Sequence, residues 1–317
     1  MKIRRVTFLG IRGVPDGAHE LGDARGVPRD LVLVVGGPAT GKTRALEAIF
    51  AAKEGLAPYG PMLVGRPWIA GGDVLAKVAL TFYLNEEEQA FANLMQTDVD
   101  AEVQLQQHRV AWDADDGLLA VLGRYEHERT GKFEYFPSRR EIPRDGALGG
   151  LDGLEQRRLR PTKEPRKYAF VGRFLRELAA HTAEADVFAA KLAALSPTCR
   201  YARAALGEGL PACFTSRGGA NVTLAELSHA ELDAVLFAAT ACAIGLDHSI
   251  VLVDRPELHL APGEAAAFLA GLRALGVDNQ IFLATSSREV AAAAEGAAVI
   301  DVGAAPGGVA WLAGGAA

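Results

Sequence analysis

The chain has 317 residues, of which 50% are apolar, 23% are charged and 7% are aromatic. This length allows either two domains of roughly 150 residues each or one elaborated α/β domain. The apolar content excludes a disordered or collagen-like chain. The 33 basic and 39 acidic residues give a net charge of −6, which excludes a chain that is basic throughout and coats nucleic acid.

Three sequence features bear on the compartment. No apolar run is long enough to span a membrane, and the N-terminal residues MKIRRV are charged at once, unlike a secretory signal. Cys199, Cys213 and Cys242 have no CxxC spacing, so neither a disulfide framework nor a structural zinc site is predicted. We therefore expect a cytoplasmic protein that does not enter a membrane.

The N-terminal part of the chain predicts two sheets. Residues 1–14 alternate between apolar and polar types, which indicates one strand, or two with a turn. The continuous apolar run at 31–35 predicts a strand that is buried on both faces, and residues 42–53 predict a helix. Four further segments are strand-like and suggest an antiparallel sheet beside the main one: 76–84, 104–112, 119–126 and 132–136.

Residues 138–176 form a basic segment, with eleven lysines and arginines against five acidic residues. Such a segment is typical of a solvated, flexible lobe, or of a docking surface for nucleic acid or an acidic partner. Both interpretations stay open. Two helices are predicted next, at about 167–182 and 184–195.

The C-terminal part of the chain alternates between helices and strands. Ser228 and Glu231 have the spacing of a capping box, which opens a helix running to about Gly245. An apolar strand at 249–253, a helix at 262–274 and an apolar strand at 280–284 follow. This alternation predicts an α/β fold in which helices cover a parallel sheet.

A phosphate-binding loop of the form G-x-x-x-x-G-K-T lies between the strand at 31–35 and the helix at 42–53. Its glycines let successive backbone N–H groups point at a phosphate, and its lysine and threonine suit the β/γ-phosphates and Mg²⁺. The cofactors predicted are therefore ATP and Mg²⁺. The predicted nucleotide-contacting residues are Gly36, Gly37, Pro38, Ala39, Thr40, Gly41, Lys42, Thr43 and Arg44.

Asp254 is the predicted partner of this loop, because it ends the apolar strand at 249–253. Thr43 and Asp254 are the predicted magnesium-site residues. The separation of 212 residues between Lys42 and Asp254 is longer than AAA+ and RecA-like machines use, and the Asn-Lys-x-Asp base reader of GTPases does not occur. A long separation is typical of an ABC-type ATPase with an inserted lobe.

Four motifs in one order resemble the ABC-type ATPase heads of the SMC, RecF and OLD lineage, particularly stand-alone bacterial "AAA family" ATPases. They are the start MKIRRVTFLGIRGV, the phosphate-binding loop, Leu227–Glu231, and the stretch DRPELHLAP at 254–262. The resemblance covers the ends of the chain well and the middle poorly. It implies one P-loop NTPase domain over residues 1–317, with an antiparallel β subdomain and a basic, helical lobe inserted at about 138–210.

The resemblance also implies partners. Members of this lineage dimerise head to tail around ATP, so Ser228 would contact the γ-phosphate bound by the other subunit; a plain helix cap is the alternative. We expect a homodimer or higher homo-oligomer and an effector protein partner, with nucleic acid binding through residues 138–176 as an open option. Related ATPases often accompany effectors in phage-defence or DNA-maintenance operons, which is analogy at the level of the family.

The sequence departs from the family pattern at its catalytic positions. Arg255 occupies the place of the glutamate that polarises water, and a guanidinium cannot accept a proton. Glu257 is the candidate substitute. Ser286 replaces the switch histidine, and residues 133–139 resemble the strand before the Q-loop but contain no glutamine. His259 is expected to pack near the dimer seam rather than to bind a metal ion.

Two functions follow from this pattern. One is an ATPase head that hydrolyses ATP slowly and serves as a motor or switch for another protein. The other is a nucleotide-gated scaffold or sensor with little hydrolysis, which Arg255 and Ser286 favour. The nucleotide-binding subunit of a membrane transporter is disfavoured by the missing glutamine and the SMC-like start. No acidic cluster of a Toprim nuclease follows residue 302.

Overall fold

The computed structural model describes residues 1–60, 65–125, 131–143, 153–202, 213–215 and 218–303. Strands within these ranges are β1 (Lys2–Leu9), β2 (Gly17–Glu20), β3 (Leu31–Val35), β4 (Leu75–Tyr83), β5 (Asp98–Gln106), β6 (Val110–Ala114), β7 (Phe133–Phe136), β8 (Arg200–Tyr201), β9 (Cys213–Thr215), β10 (Asn221–Thr223), β11 (Ile250–Asp254), β12 (Gln280–Thr285) and β13 (Ala298–Asp301). Helices are α1 (Lys42–Leu56), α2 (Glu86–Ala92), α3 (Asp116–Gly123), α4 (Gly153–Leu159), α5 (Phe170–Leu178), α6 (Thr182–Leu195), α7 (His229–Ile244), α8 (Ala265–Arg273) and α9 (Arg288–Ala293).

The chain divides into two compact units. Unit 1 contains Met1–Ser138, Asp247–Pro256 and the described part of Asp278–Ala317. Unit 2 contains Arg139–Leu246 and Glu257–Val277. A single domain with a lobe inserted at about 138–210 stays a prediction. No helix in the described part of the chain combines the length and the apolar character that a bilayer crossing needs.

A five-stranded parallel sheet lies in unit 1, in the order β13-β3-β12-β11-β7. Every residue of its three central strands is buried, as expected for continuous apolar runs in a sheet that is covered on both faces. Helix α1 packs against β3 and β12. The predicted parallel sheet is confirmed, and its three central strands end at one edge.

A second sheet of unit 1 is antiparallel, in the order β2-β1-β4-β5-β6. Residues along β4 and β5 alternate between buried and accessible positions, so one face supplies core residues and the other carries polar side chains. The predicted antiparallel sheet is confirmed, but the assignment of 132–136 to it is wrong. That segment is β7, which pairs in parallel with β11 at the edge of the other sheet. The segment 104–112 is not one strand either. It contains the end of β5, a turn and the start of β6.

The strand predicted at 119–126 is wrong, because the chain forms helix α3 there. The Asp115 side chain accepts a hydrogen bond from the backbone N–H of Gly117 at 2.7 Å and so caps the helix. Leu118, Val121 and Leu122 are buried at helical spacing. A short apolar run does not by itself distinguish a strand from a helix, and the cap decides between them here. Residue 126 lies outside the described residues.

Unit 2 is mainly helical, and α6 packs against α7 and α8. The contact between α6 and α8 requires glycine, because a Cβ added at Gly271 would lie 2.4 Å from the carbonyl oxygen of Ala194. The helices predicted at 167–182 and 184–195 correspond to α5 and α6, with different ends.

Burial raises the pKa of the Cys199 thiol to about 12 and that of Cys242 to about 11, so neither is an activated nucleophile.

Candidate functional site

The phosphate-binding loop connects β3 to α1 in unit 1. Ala39 and Gly41 adopt left-handed backbone conformations, with φ of 62° and 98°, which suits a loop whose N–H groups converge on an anion. Only glycine fits at position 41, since an added Cβ would lie 1.7 Å from the carbonyl oxygen of Gly13. The turn after β1 therefore packs directly against the loop.

The Lys42 ammonium lies inside the curve of this loop. Its Nζ donates hydrogen bonds to the carbonyl oxygens of Gly36 at 2.9 Å and Gly37 at 2.6 Å. The Thr40 hydroxyl also donates to the Gly37 carbonyl oxygen, at 2.9 Å. The loop thus holds a positive charge at the N-terminal end of α1, where a helix favours a bound anion.

Thr43 and Asp254 meet although 211 residues separate them in the chain. The Thr43 hydroxyl lies 3.0 Å from each carboxylate oxygen of Asp254. Thr43 is in the first turn of α1, and Asp254 ends β11. The structure therefore brings the two predicted magnesium-site residues together at the carboxyl edge of the parallel sheet.

Asp254 is only 2% exposed, and burial raises the pKa of its carboxyl group above the ordinary value. Hydrogen bonds from Thr43 and Ser138 and the charge of Arg255 act in the opposite direction, whereas the Glu47 carboxylate raises the pKa further. A buried carboxylate beside two hydroxyl groups is a set of hard oxygen donors, and Mg²⁺ prefers such donors. The residues at this edge fit a magnesium ion.

Two residues of this site were not among the predicted ones. Ser138 follows β7 and donates its hydroxyl hydrogen to Asp254. Glu47 lies one helical turn after Thr43, with its side chain 12% exposed. The sequence contains a signal for Glu47, because it lies four residues after Thr43 and positions i and i+4 share a helix face. Only the pairing of β7 with β11 brings Ser138 here.

Arg255 follows Asp254 directly and has a left-handed backbone, with φ of 51°. Its N–H donates to the carbonyl oxygen of Ala284 on β12 at 2.9 Å, which holds this conformation, and the residue is exposed. Non-glycine residues in such conformations cost free energy and concentrate at functional sites. The carboxyl edge of the sheet thus presents a guanidinium where the family pattern has a carboxylate.

Ser286 follows β12, the strand between β3 and β11. It is exposed, whereas Thr285 before it is fully buried and accepts a hydrogen bond from the N–H of Ser287 at 2.9 Å. The phosphate-binding loop, Asp254 and Ser286 therefore lie at the carboxyl ends of three adjacent parallel strands. This is where open α/β sheets bind ligands.

Arg44, the last residue predicted to contact nucleotide, has its side chain engaged elsewhere. The guanidinium stacks 4.4 Å from the centre of the Trp68 ring and donates to the Pro67 carbonyl oxygen at 2.7 Å. It also lies 3.4 Å from Glu47. The backbone N–H of Arg44, in the first turn of α1, is the group that remains suited to a phosphate.

Ser228, in unit 2, is the N-cap of α7. Its Oγ accepts a hydrogen bond from the Glu231 N–H at 3.3 Å, and the Glu231 carboxylate accepts from the Ser228 N–H and hydroxyl at 2.9 and 2.8 Å. The predicted capping box is present. Ser228, His229 and Ala230 are all exposed, so the positive end of a 16-residue helix faces outward.

A charged cluster in unit 2 links three segments. Asp233 on α7 accepts hydrogen bonds from the Arg140 guanidinium and lies 3.2 Å from Nδ1 of His259. The His259 ring is 5.2 Å from that of His229. Within the described residues no group of three or more His, Cys, Asp or Glu side chains could hold a metal ion.

Glu257, the predicted catalytic residue, is half-buried in a turn of unit 2.

The basic segment 138–176 is less exposed than its composition indicates. Arg140, Arg160 and Lys167 are buried. Residues 144–152 lie outside the described residues. Three of the exposed arginines form ion pairs with acidic neighbours: Arg139 with Glu141, Arg166 with Glu155, and Arg173 with Glu177. Part of the positive charge in this segment is therefore buried or paired with acidic side chains.

The sequence matches no protein-family model and no curated protein. Its fold is similar to the SMC head domain from Thermotoga maritima, with 14% identity, 93% coverage of each chain and a TM-score of 0.51. It is also similar to an Smc head bound to the C-winged helix domain of ScpA (15% identity, 95% of this chain and 94% of that chain, TM-score 0.61). A third similar structure is an Smc head with an extended coiled coil, bound to the C-terminal domain of ScpA derived from Pyrococcus furiosus. Its sequence identity is 14%, the match covers 94% of this chain and 92% of that chain, and the TM-score is 0.58.

These similarities establish the fold. The chain is an α/β protein with the fold of an SMC head domain, as the resemblance of its motifs implies. At sequence identities of 14 to 15%, these similarities show the fold alone.

Proposed function

We propose that this chain, with its SMC-head fold, is an ATP-binding, ABC-type ATPase head. It dimerises around Mg-ATP and serves as a motor or switch for a partner protein. The observation that carries the proposal is the contact between Thr43 and Asp254, which joins a phosphate-binding loop to a buried carboxylate across 211 residues. A glycine-rich loop without a ligand would need no such carboxylate.

Different residues of unit 1 would bind the phosphates and the magnesium ion. The N–H groups of residues 36–44 and the Lys42 ammonium would hold the phosphates, with charge-assisted hydrogen bonds from the lysine. Thr43 would hold Mg²⁺ directly, and Asp254 would orient the Thr43 hydroxyl. Magnesium, when bound, would neutralise charge on the β- and γ-phosphates.

Dimerisation would use Ser228. The exposed N-terminal end of α7 presents a hydroxyl and a helix dipole, both of which suit the γ-phosphate of a nucleotide bound by a second subunit. The arrangement expected is a homodimer or higher homo-oligomer. The alternative role of Ser228 is a plain helix cap, because its capping box satisfies the end of α7.

Hydrolysis is expected to be slow. The attacking water must be oriented and relieved of a proton, and Arg255 cannot accept one. Glu257 is the proposed residual base. Arg255 and Ser286 also support the second candidate function, a nucleotide-gated scaffold or sensor that binds ATP and assembles with little turnover.

An effector protein is the proposed partner, by analogy with the two Smc heads that are bound to ScpA domains. Nucleic acid binding would rest on the exposed cations of residues 138–176, several of which are already in ion pairs. A setting in phage defence or DNA maintenance is an analogy at the level of the family.

Nucleotide binding is tested with a fluorescent ATP analogue and Mg²⁺ at equilibrium. Lys42→Ala should weaken binding strongly, because it removes the ammonium inside the loop. Lys163→Ala, at an exposed lysine of unit 2, is the matched control and should bind like the natural chain. Equal affinity in the Lys42→Ala and natural proteins would refute the proposed nucleotide site.

Dimerisation is tested by light scattering with and without a non-hydrolysable ATP analogue. Ser228→Arg places bulk and charge at the N-terminus of α7 and should abolish nucleotide-dependent association. Ala180→Arg, at another exposed position of unit 2, is the control. If Ser228→Arg associates as the natural protein does, Ser228 is a helix cap only.

A further inference from the structure

Strand β6 is an edge strand of the antiparallel sheet, and among the described residues it pairs only with β5. In the β5–β6 hairpin the Gln106 N–H donates to the carbonyl oxygen of Arg109 at 2.8 Å, and hydrogen-bonded pairs alternate along an antiparallel ladder. Trp112 and Ala114 therefore direct their N–H and C=O groups away from β5. No described residue makes a backbone hydrogen bond with these groups, so the outer edge of β6 is a template for another strand.

The edge of β6 lacks the residues that usually protect a sheet edge. Its sequence, VAWDA, contains no lysine and no proline. Trp112 lies opposite the buried Val103 and so belongs to the inner face of the sheet, yet it is 49% exposed. An exposed tryptophan at the margin of a core is a typical anchor for a protein partner.

The outer face of the sheet beside β6 has a depression of about 470 Å³. The charged side chains that line it are those of Asp100, Glu102, Asp113, Asp115 and Arg5. Arg5 also pairs with Glu20 at 3.1 Å. Glu102 lies directly opposite Asp113 across the two strands, and like charges in that arrangement destabilise a sheet. A cationic side chain placed in the depression would remove this repulsion.

Asp113 is the carboxylate best placed to receive such a cation. Glu102 already pairs with Lys77, and Asp100 accepts a hydrogen bond from the Thr81 hydroxyl at 2.6 Å. The Asp113 side chain makes no hydrogen bond or ion pair with any other described residue. The carboxylates of the described face are not grouped closely enough to hold a metal ion together. The long side chain of an arginine or a lysine suits this spacing better.

We propose that the outer edge of β6 binds an extended segment of a partner protein as an added antiparallel strand, in which basic residues alternate with apolar ones. Successive side chains of a strand point to opposite faces, so the basic ones would lie over Asp113 and the apolar ones beside Trp112. A second copy of this chain is disfavoured as the occupant, because pairing β6 with β6 would bring two acidic faces together. The proposal does not depend on bound nucleotide.

The experiment follows the fluorescence anisotropy of a labelled peptide of three Arg-Val repeats, capped at both ends, while the full chain is added without nucleotide. The natural chain should bind the peptide saturably. Trp112→Ala and Asp113→Lys should each weaken binding by about tenfold or more, because one removes the anchor and the other reverses the charge. Asp186→Lys, at an exposed aspartate of unit 2, is the control for net charge and should bind like the natural chain.

Two further measurements separate strand addition from simple attraction between opposite charges. Ala114→Pro removes one outward N–H at a position where an edge strand tolerates proline, and it should weaken binding while the circular dichroism spectrum stays unchanged. The same peptide with N-methylated valines keeps its charge but loses the N–H groups that would face β6, and it should not bind. This second measurement uses the natural chain and so stands whether or not Ala114→Pro folds.

Four results would overturn the proposal. The first is no binding of the Arg-Val peptide to the natural chain. The second is equal binding by the natural chain, Trp112→Ala and Asp113→Lys. The third is equal binding of the N-methylated peptide, which would show attraction of a polycation without strand pairing. The fourth is self-association of the natural chain, seen by light scattering without nucleotide, that Trp112→Ala abolishes, since a second copy would then occupy the edge.

Discussion

Replacing Asp233 by alanine should destabilise unit 2 by removing a counter-charge of a buried arginine. The Arg140 side chain is 1% exposed, and its Nη2 and Nε lie 2.9 and 3.3 Å from Oδ2 of Asp233. A guanidinium does not lose its proton in a protein, so it cannot escape the cost of burial by becoming neutral. Breaking a buried ion pair from one side costs about 3–5 kcal/mol, and we expect a loss of that size.

The assay is urea unfolding followed by circular dichroism at 222 nm. The helices of unit 2 contribute to this signal, whereas Trp68 and Trp112 both lie in unit 1 and would report on that unit. Asp233→Asn should cost less, because it keeps an acceptor oxygen. A double variant, Asp233→Ala with Arg140→Leu, should recover most of the loss, because an apolar replacement of both partners is often neutral.

Two results would refute this reasoning. A loss below about 0.5 kcal/mol in Asp233→Ala would place the pair among surface ion pairs of little value. A double variant no more stable than Asp233→Ala would show that the loss of this counter-charge of Arg140 is not the cause. In either case the contact between Arg140 and α7 would have to be reassigned to packing against Phe237, whose ring lies 5.5 Å from the guanidinium.

The remaining predictions concern unit 1 and turnover. Arg255→Glu should raise the rate of steady-state phosphate release by about tenfold or more, equivalent to lowering the barrier by about 1.4 kcal/mol. If the natural protein hydrolyses ATP rapidly and Arg255→Glu does not raise the rate, position 255 is not the catalytic position. Glu257→Gln should abolish residual hydrolysis; persistent hydrolysis would exclude Glu257 as the base. Gly41→Ala should abolish analogue binding, because the added Cβ would overlap the Gly13 carbonyl oxygen. The control, Gly123→Ala, should bind normally, because its Cβ would meet nothing within 4 Å. Normal binding by Gly41→Ala would contradict the loop geometry.

The sequence by itself determined the three central strands of the parallel sheet and the phosphate-binding loop, but not the two edge strands β7 and β13. Continuous apolar runs such as 31–35 and 281–284 are buried on both faces because they have no polar side chain to present to water. The capping box at Ser228 and Glu231 is likewise local chemistry, since its hydrogen bonds join residues three apart. Local patterns do not distinguish a short apolar strand from a helix, so the sequence predicts a strand where the chain forms α3.

Tertiary structure alone decided which distant residues share the site. Ser138 has no motif of its own and reaches Asp254 only because β7 pairs with β11 in one register. Arg140, Arg160 and Lys167 looked in the sequence like part of an exposed basic segment, but folding buries all three. Charge along a chain records composition, whereas its exposure depends on packing between elements far apart in sequence, and that packing is a property of the whole fold.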